Sequence, residues 1–338
     1  MILKTRVRRG LCLVGVLLVA AVEGTAGAPL AGAQGNAWFG WVVNSKSGTV
    51  SVVDLETLTI ATTLKVGKTP RGIEAEDVDV ATVASSGSQR IDFIDNRGDP
   101  FLFPLPGSPE DVALVEPNVV ATLPGSDELA VLSEDMSVKL LKVGKRPLGV
   151  AYSGRKVDLI AVANSGDNTV SLLPRSDLTS SRVRAAQVVA VGKNPRDVAF
   201  SPDGKTLAVS NFKSRTVSIV DVGAATTTDL KVGKGPWGVD IWSKRKDVVV
   251  VVANFRSNSA TLIKNGTAVD IKVGKRPIGA AISPDGTLAV IANSKSSSVS
   301  VIDIKTATVI GTVKVGKKPH GVSIGQKTKL RGARSNSR

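Results

Sequence analysis

The chain has 338 residues, 44 of them Lys or Arg and 29 Asp or Glu, a formal net charge of +15, and 42% of it is hydrophobic. That apolar fraction supports a sizeable core and excludes disorder over most of the length. One Cys, one His and two Met exclude a disulfide framework and a zinc cluster and leave almost no scope for histidine acid–base chemistry, while aromatics at only 4% suit short strands and tight turns.

Residues 1–33 read as an export signal. Lys4, Arg6, Arg8 and Arg9 form a basic start, Leu11 to Val22 an apolar segment, and small residues follow with Ala-x-Ala patterns at Ala26–Ala28 and Ala31–Ala33. The apolar segment has 12 residues, where a bilayer span needs about 20; an uncleaved anchor is the alternative. Cys12 and Leu13 after Arg8-Arg9 fit the general secretory route better than the twin-arginine one. The expected mature protein is cysteine-free, periplasmic or extracellular at the cell surface, monomeric and without a membrane span.

Three strands follow, Trp41–Asn44, Thr49–Asp54 and Thr59–Val66, and lead into the phrase Val-Gly-Lys-x-Pro. The glycine of this phrase recurs at Gly67, Gly144, Gly192, Gly233, Gly274 and Gly316, with a degenerate copy at Leu105–Pro109; the spacings are 40, 37, 48, 41, 41 and 42. Each period holds four short β-branched strands, here lettered a to d. From Pro277 they are Gly279–Ile282, Thr287–Asn293, Ser298–Asp303 and Val309–Val315, with Ser283-Pro284-Asp285-Gly286 as the a–b turn. Units 70–106 and 109–143 depart most from the pattern, and the fourth unit is longer around Asp177–Arg184. Four strands per period of about 40 residues specify a β-propeller. The first unit lacks a strand a, and the C-terminal Pro319–Ile324 is a strand a without partners. The two ends therefore combine into one blade. The predicted fold is all-β: a seven-bladed propeller over residues 34–325, closed by the C-terminal strand a joining N-terminal strands b–d. A basic tail without acids, 326–338, is expected to be disordered.

Asn44-Ser45…Thr49-Val50-Ser51-Val52-Val53-Asp54 and Val290-Ile291-Ala292-Asn293…Val299-Ser300-Val301-Ile302-Asp303 resemble the YVTN-type seven-bladed propeller repeat. The asparagine after strand b recurs at Asn164, Asn211 and Asn254, and the aspartate closing strand c at Asp95 and Asp221. The resemblance covers 37–325 and implies the fold. For function it implies several alternatives, because such propellers include surface-layer proteins, periplasmic binding proteins and relatives of redox-enzyme subunits.

Antiparallel strands put the d–a and b–c loops at one end of the ring and the a–b and c–d loops at the other. The first end holds 22 basic residues against six acids. Its candidate ligand-binding residues are Lys68, Arg71, Lys145, Arg146, Lys193, Arg196, Lys234, Lys275, Arg276, Lys317 and Lys318 near the d–a junctions, and Lys46, Lys213, Arg215, Arg256 and Lys295 in b–c loops. Arg71, Glu110, Leu148, Arg196, Trp237, Ile278 and His320 follow the anchor prolines and are predicted to ring the channel mouth, where Trp237 either stacks a ring or caps the channel. The basic ring has a gap at blade 3, where Glu110 and Asp111 stand. Such a face attracts polyanions: single-stranded nucleic acid, which some periplasmic propellers of the resembled type bind, anionic polysaccharide, or an acidic protein. Solvated lysines spread by repeat duplication are the bland counterpart.

No catalytic constellation is visible. His320 stands alone, Glu74, Glu76, Asp77 and Asp79 lack the glycine-turned spacing of a calcium loop, and there is no haem-attachment or phosphate-cradle motif. No cofactor or metal is expected. The function expected is non-enzymatic binding of a polyanion or acidic protein by the basic face. The alternatives are an envelope interaction scaffold without polyanion binding, and a lactonase-like or redox/haem-metabolism propeller.

Overall fold

The computed structural model describes residues 38–75, 80–95, 100–180 and 187–326. The export-signal segment, residues 327–338 of the basic tail, Glu76, Asp77 and Asp79, and residues 181–186 of the fourth unit lie outside them, while Gln326, expected in the tail, ends a strand and pairs with Trp38. The described chain forms seven four-stranded antiparallel sheets, each a blade with its strands in the order a-b-c-d. Blade 1 is Pro319–Gln326, Trp38–Asn44, Thr49–Asp54 and Thr59–Lys65; blade 2 Pro70–Ala75, Val80–Ser85, Arg90–Asp95 and Phe101–Pro104; blade 3 Val112–Val115, Asn118–Leu123, Glu128–Leu132 and Val138–Lys142; blade 4 Pro147–Tyr152, Leu159–Asn164, Thr169–Pro174 and Gln187–Ala190. Blade 5 is Pro195–Phe200, Thr206–Asn211, Thr216–Asp221 and Thr226–Lys231; blade 6 Pro236–Lys244, Asp247–Asn254, Ser259–Lys264 and Thr267–Lys272; blade 7 Pro277–Ile282, Leu288–Asn293, Ser298–Asp303 and Thr308–Lys314. The expected closure is present: Gly40 pairs with Ile324, Trp41 with Ser323 and Val42 with Val322. Every strand a touches the strand a of the next blade, so these seven innermost strands wall a central channel.

Alternation along each strand builds the core. In blade 6, Val249, Val251 and Ala253 pack toward blade 7, while Val250 and Val252 pack toward blade 5. A strand buried on both faces needs apolar residues at every position, which is why Val248–Val252 runs unbroken. One such apolar cluster fills each seam between adjacent blades.

The repeated asparagine and glycine are two halves of one joint. Asn211 donates from Nδ2 to Thr216 Oγ1 at 3.1 Å and to Ser218 Oγ at 2.7 Å, and Asn44, Asn164, Asn254 and Asn293 repeat this on their own strands c. Each buried amide thereby lies against the loop entering the same blade. A Cβ on Gly192 would come within 2.6 Å of the Asn211 amide, so only glycine lets the loop pass. Blade 2 solves the same problem differently: Asp92 accepts from Gly67 N at 2.5 Å and from Ser85 Oγ at 2.6 Å, with Arg90 paired to it.

The longer c–d region of blade 4 contains a short helix, Ser176–Thr179. Lys139 of blade 3 holds it, its ammonium donating to the carbonyls of Asp177, Leu178 and Ser180 at 3.2, 3.1 and 2.6 Å.

Candidate functional site

The candidate residues form two tiers at one end of the ring. The outer tier is a rim of exposed cations: Lys46, Lys68, Lys145, Arg146, Lys193, Lys213, Arg215, Lys234, Arg256, Lys275, Arg276, Lys295, Lys317 and Lys318. Backbone bonding between d–a and b–c loops places them. The amide of the phrase's lysine donates to the b–c loop of the same blade: Lys193 to Ser214 Oγ at 2.6 Å, Lys234 to Ser257 at 2.6 Å, Lys275 to Ser296 at 2.8 Å, Lys317 to Ser47 at 2.8 Å. In return the b–c loop donates to that lysine's carbonyl. Lys213 N reaches Lys193 O at 3.1 Å, Arg256 N reaches Lys234 O at 3.0 Å, Lys295 N reaches Lys275 O at 3.0 Å and Lys46 N reaches Lys317 O at 3.1 Å. Four blades thus clamp two cations side by side. Blades 2 and 4 have Gly87 and Gly166 in the second place.

The ion pairs found among the described residues, Arg90–Asp92, Lys142–Glu128, Arg155–Glu116 and Arg175–Asp158, include none of these rim residues. The residue before six of the seven anchor prolines has a left-handed backbone: Thr69, Arg146, Asn194, Gly235, Arg276 and Lys318, with φ between 50° and 66°. Glycine and asparagine suit that conformation, and the long cations there are strained by about 1 kcal/mol each. At blade 3 the rim is interrupted, since Asp127 accepts from Arg146 N at 2.8 Å and Glu128 pairs with Lys142.

The inner tier is a bowl at the channel mouth. All seven side chains predicted to ring it, Arg71, Glu110, Leu148, Arg196, Trp237, Ile278 and His320, do line it, around about 440 Å³ of space that includes the open mouth. Arg71, Arg196, Trp237 and His320 therefore face the bowl and belong to a different environment from the rim lysines. Strand a of blade 3 starts only at Val112, so Glu110 and Asp111 enter the bowl from its preceding turn.

Trp237 is half-buried and is not an open platform for a stacked ring. The Arg196 guanidinium lies 4.5 Å from its centroid, the His320 ring stands edge-on at 6.0 Å, and Phe212 and Phe255 flank it at 5.6 and 5.4 Å. Arg196 and Arg256 also lie over Phe212, at 4.9 and 4.8 Å, and Arg276 over Phe255 at 5.5 Å. Aromatic faces thus hold three guanidiniums in place, each contact worth about 0.5–1 kcal/mol at such exposure. Sequence reasoning missed Phe212 and Phe255. The signal was present: the residue after the repeated asparagine is Ser45, Ser165 and Ser294 elsewhere, but phenylalanine in blades 5 and 6.

His320 is only 9% exposed, and burial followed by the charges of Arg71 and Arg196 pushes its imidazole down to about 3. It is neutral. It donates to the carbonyl of Arg71, and its Nε2 has no partner. Burial raises Glu110 above the ordinary carboxylate range against the pull of Arg71, Arg196 and Arg146.

Below the mouth, Gly72, Gly149, Gly238, Gly279 and Gly321 bring neighbouring strands a into contact too close for a Cβ. Blades 3 and 5 carry Asp111 and Asp197 in that slot instead. Asp111 Oδ2 accepts from Val150 N of blade 4 at 3.0 Å, Asp197 Oδ2 from Val239 N of blade 6 at 3.0 Å, and Asp240 Oδ2 from Ile282 N of blade 7 at 2.7 Å. Glu74 likewise accepts from Leu114 N of blade 3 at 2.6 Å, so this residue of the acidic cluster links two blades. Burial pushes Asp111 up to about 7 and Asp240 to about 6; Asp197 rises well above the ordinary range through burial and the charge of Asp111. No group of three or more His, Cys, Asp or Glu side chains is placed to hold a metal ion among the described residues.

A family model described as "Lactonase, 7-bladed beta-propeller" matches residues 148–235, which are blades 4 and 5. No curated protein matches the chain. Solved structures with the same architecture include a functionally unknown protein from Desulfotomaculum acetoxidans, 18% identical, TM-score 0.69, covering 86% of this chain and 99% of that one. Hydrazine synthase of Kuenenia stuttgartiensis is 17% identical, TM-score 0.64, covering 75% and 88%. Virginiamycin B lyase of Staphylococcus aureus is 14% identical, TM-score 0.63, covering 76% and 91%. At these identities the likeness is one of fold.

Proposed function

We propose that this chain is an exported, non-enzymatic propeller of the YVTN repeat type whose rim binds a linear polyanion, such as single-stranded nucleic acid or anionic polysaccharide. The observation that carries this reading is the set of four like-charge pairs, Lys46/Lys317, Lys213/Lys193, Arg256/Lys234 and Lys295/Lys275, joined backbone to backbone. Neighbouring like charges repel, and nearby acids would relieve them. The rim instead keeps them outside the ion pairs found and places Arg146, Arg276 and Lys318 on strained backbone. A bound chain of phosphates or carboxylates supplies the missing countercharge and releases its own counterions. The gap at blade 3 makes the rim an open horseshoe, which suits a linear ligand with two free ends.

Anisotropy of a labelled single-stranded oligonucleotide and of labelled polygalacturonate, titrated with the full chain at several salt concentrations, tests this. Replacing Lys46, Lys234, Lys275 and Lys317 by Ser is expected to lower the slope of log K against log salt by about 0.7 per lost phosphate contact, or about 3 in all. Equal slopes for parent and variant, or no binding of either polymer at low salt, would overturn the reading.

The match to the Lactonase model favours a second reading, hydrolysis in the bowl. Against it, His320 is too weak a base at about 3, and Asp111 and Asp197 are occupied by backbone amides. Release of acid from a sugar lactone by the purified chain would favour it.

A further inference from the structure

The bowl differs from the rim in chemistry, and its polar atoms ask for a particular ligand. Two guanidiniums, Arg71 and Arg196, line it, and neither is in an ion pair found among the described residues. Arg196 is fixed by Trp237, Phe212 and an Nε bond to Asn194 Oδ1 at 3.1 Å. The Arg71 Nε is buried without a partner. The charges of both act on the same His320 and Glu110, so the two guanidiniums share one space, and such groups are donors suited to an oxyanion. Beside them stands the bare Nε2 of His320, whose other nitrogen is committed to the Arg71 carbonyl, so Nε2 is an acceptor waiting for a donor. Leu148, Ile278 and Trp237 give the bowl an apolar part, and the carboxyl groups of Glu110, Asp111 and Asp197 complete its side-chain lining.

We infer that the bowl takes an N-acylated amino-acid carboxylate, as found at the C-terminus of a peptide. Arg71 and Arg196 bind its carboxylate, His320 Nε2 accepts its amide N–H, and its apolar side chain rests on Leu148, Ile278 and Trp237. Sulfate offers no hydrogen to Nε2, whereas inorganic phosphate keeps a P–OH near neutral pH and is the competing oxyanion to be measured. A sugar acid carries several hydroxyls, which Leu148 and Ile278 leave unmet at a cost and which only the carboxyl groups of Glu110, Asp111 and Asp197 can meet. Capture of a terminal carboxylate is a known mode of peptide recognition. Glu110 faces the same arginines and competes for them. Asp111 and Asp197, deeper in the wall, are held by backbone amides. The inference stands apart from the polyanion reading, since it uses none of the rim lysines.

Calorimetry of the full chain with N-acetyl-leucine, Gly-Gly-Leu, N-acetyl-leucinamide, 4-methylpentanoate, glucuronate and inorganic phosphate is the test, with Trp fluorescence as a second readout. Both free acids with an amide N–H are expected to saturate the protein. The carboxamide and the acid without N–H should each bind about tenfold more weakly, or about 1.4 kcal/mol. Arg71→Gln should weaken N-acetyl-leucine by a similar factor and Glu110→Gln should tighten it severalfold, while the rim variant with Lys46, Lys234, Lys275 and Lys317 changed to Ser binds it as the parent does. Binding of the carboxamide as tight as the acid, tighter binding of glucuronate or phosphate, or no saturation by either free acid would overturn the inference. The ligand series alone suffices if a variant fails to fold. Loss of polymer binding in the rim variant with N-acetyl-leucine binding intact separates the two proposals.

Discussion

Asp111 offers a direct test of the channel wall. Its carboxyl titrates at about 7 in the fold, against 3.8 for the ordinary side chain. Between those values the unfolded chain has lost this proton and the folded one has kept it. The folded state therefore binds more protons, and stability falls as pH rises through this window. At about 1.4 kcal/mol per pH unit, the two units between pH 5 and pH 7 cost about 3 kcal/mol at most. The side chain keeps some exposure to the channel, and solvent there reduces the figure to about 1–2 kcal/mol. Asp111→Asn keeps an acceptor for Val150 N and removes the charge. The variant should gain about 1–2 kcal/mol over the parent between pH 5 and pH 8, read as a shift in urea midpoint at constant m-value. The effect should extend to Asp197, whose rise is partly caused by Asp111. A stability difference that stays constant across this pH range would refute the reasoning. His320, displaced downward, acts with the opposite sign: the unfolded chain charges it below 6.5 while the fold keeps it neutral to about 3, so its contribution rises with pH between those values and overlaps the lower part of the window. Parent and Asp111→Asn share it, so it cancels in their difference.

Two further outcomes separate strain from packing. Arg276→Gly removes a long side chain from a backbone at φ 50° and should raise stability by about 0.5–1 kcal/mol, while polymer affinity falls; a loss of stability on chemical denaturation would show that the contact with Phe255 outweighs the strain. Lys139→Met removes the ammonium that gathers the Asp177, Leu178 and Ser180 carbonyls. Limited proteolysis should then cut the blade 4 insertion faster, at unchanged rates elsewhere, and equal cutting rates would deny Lys139 this role.

The blade count, the closure by both ends and the sorting of loops by face were legible in the residues because each rests on local rules. A four-strand period of about 40 residues repeats its own turns, and strand direction alternates whatever the side chains are. The ring at the channel mouth was legible for the same reason, since Arg71, Glu110, Leu148, Arg196, Trp237, Ile278 and His320 occupy one slot of the repeat. Departures from the repeat carried more than the gap in the basic ring read at Glu110 and Asp111. Phenylalanine in a serine slot at Phe212 and Phe255, and aspartate in a glycine slot at Asp111 and Asp197, mark where neighbouring blades meet differently.

The sequence by itself determined a closed all-β ring with its cations gathered at one end, because hydrophobic alternation and turn chemistry are encoded within a few residues. Tertiary structure alone clamped the rim cations in pairs, Lys213 beside Lys193 and Lys46 beside Lys317. It also laid Arg196 on Trp237 and Phe212, left His320 Nε2 without a partner and raised Asp111 and Asp197. These properties belong to pairs of residues about 40 positions or more apart, such as Arg196 with Trp237 and Asp111 with Val150. They exist only once ring closure presses adjacent blades together and withdraws their side chains from water.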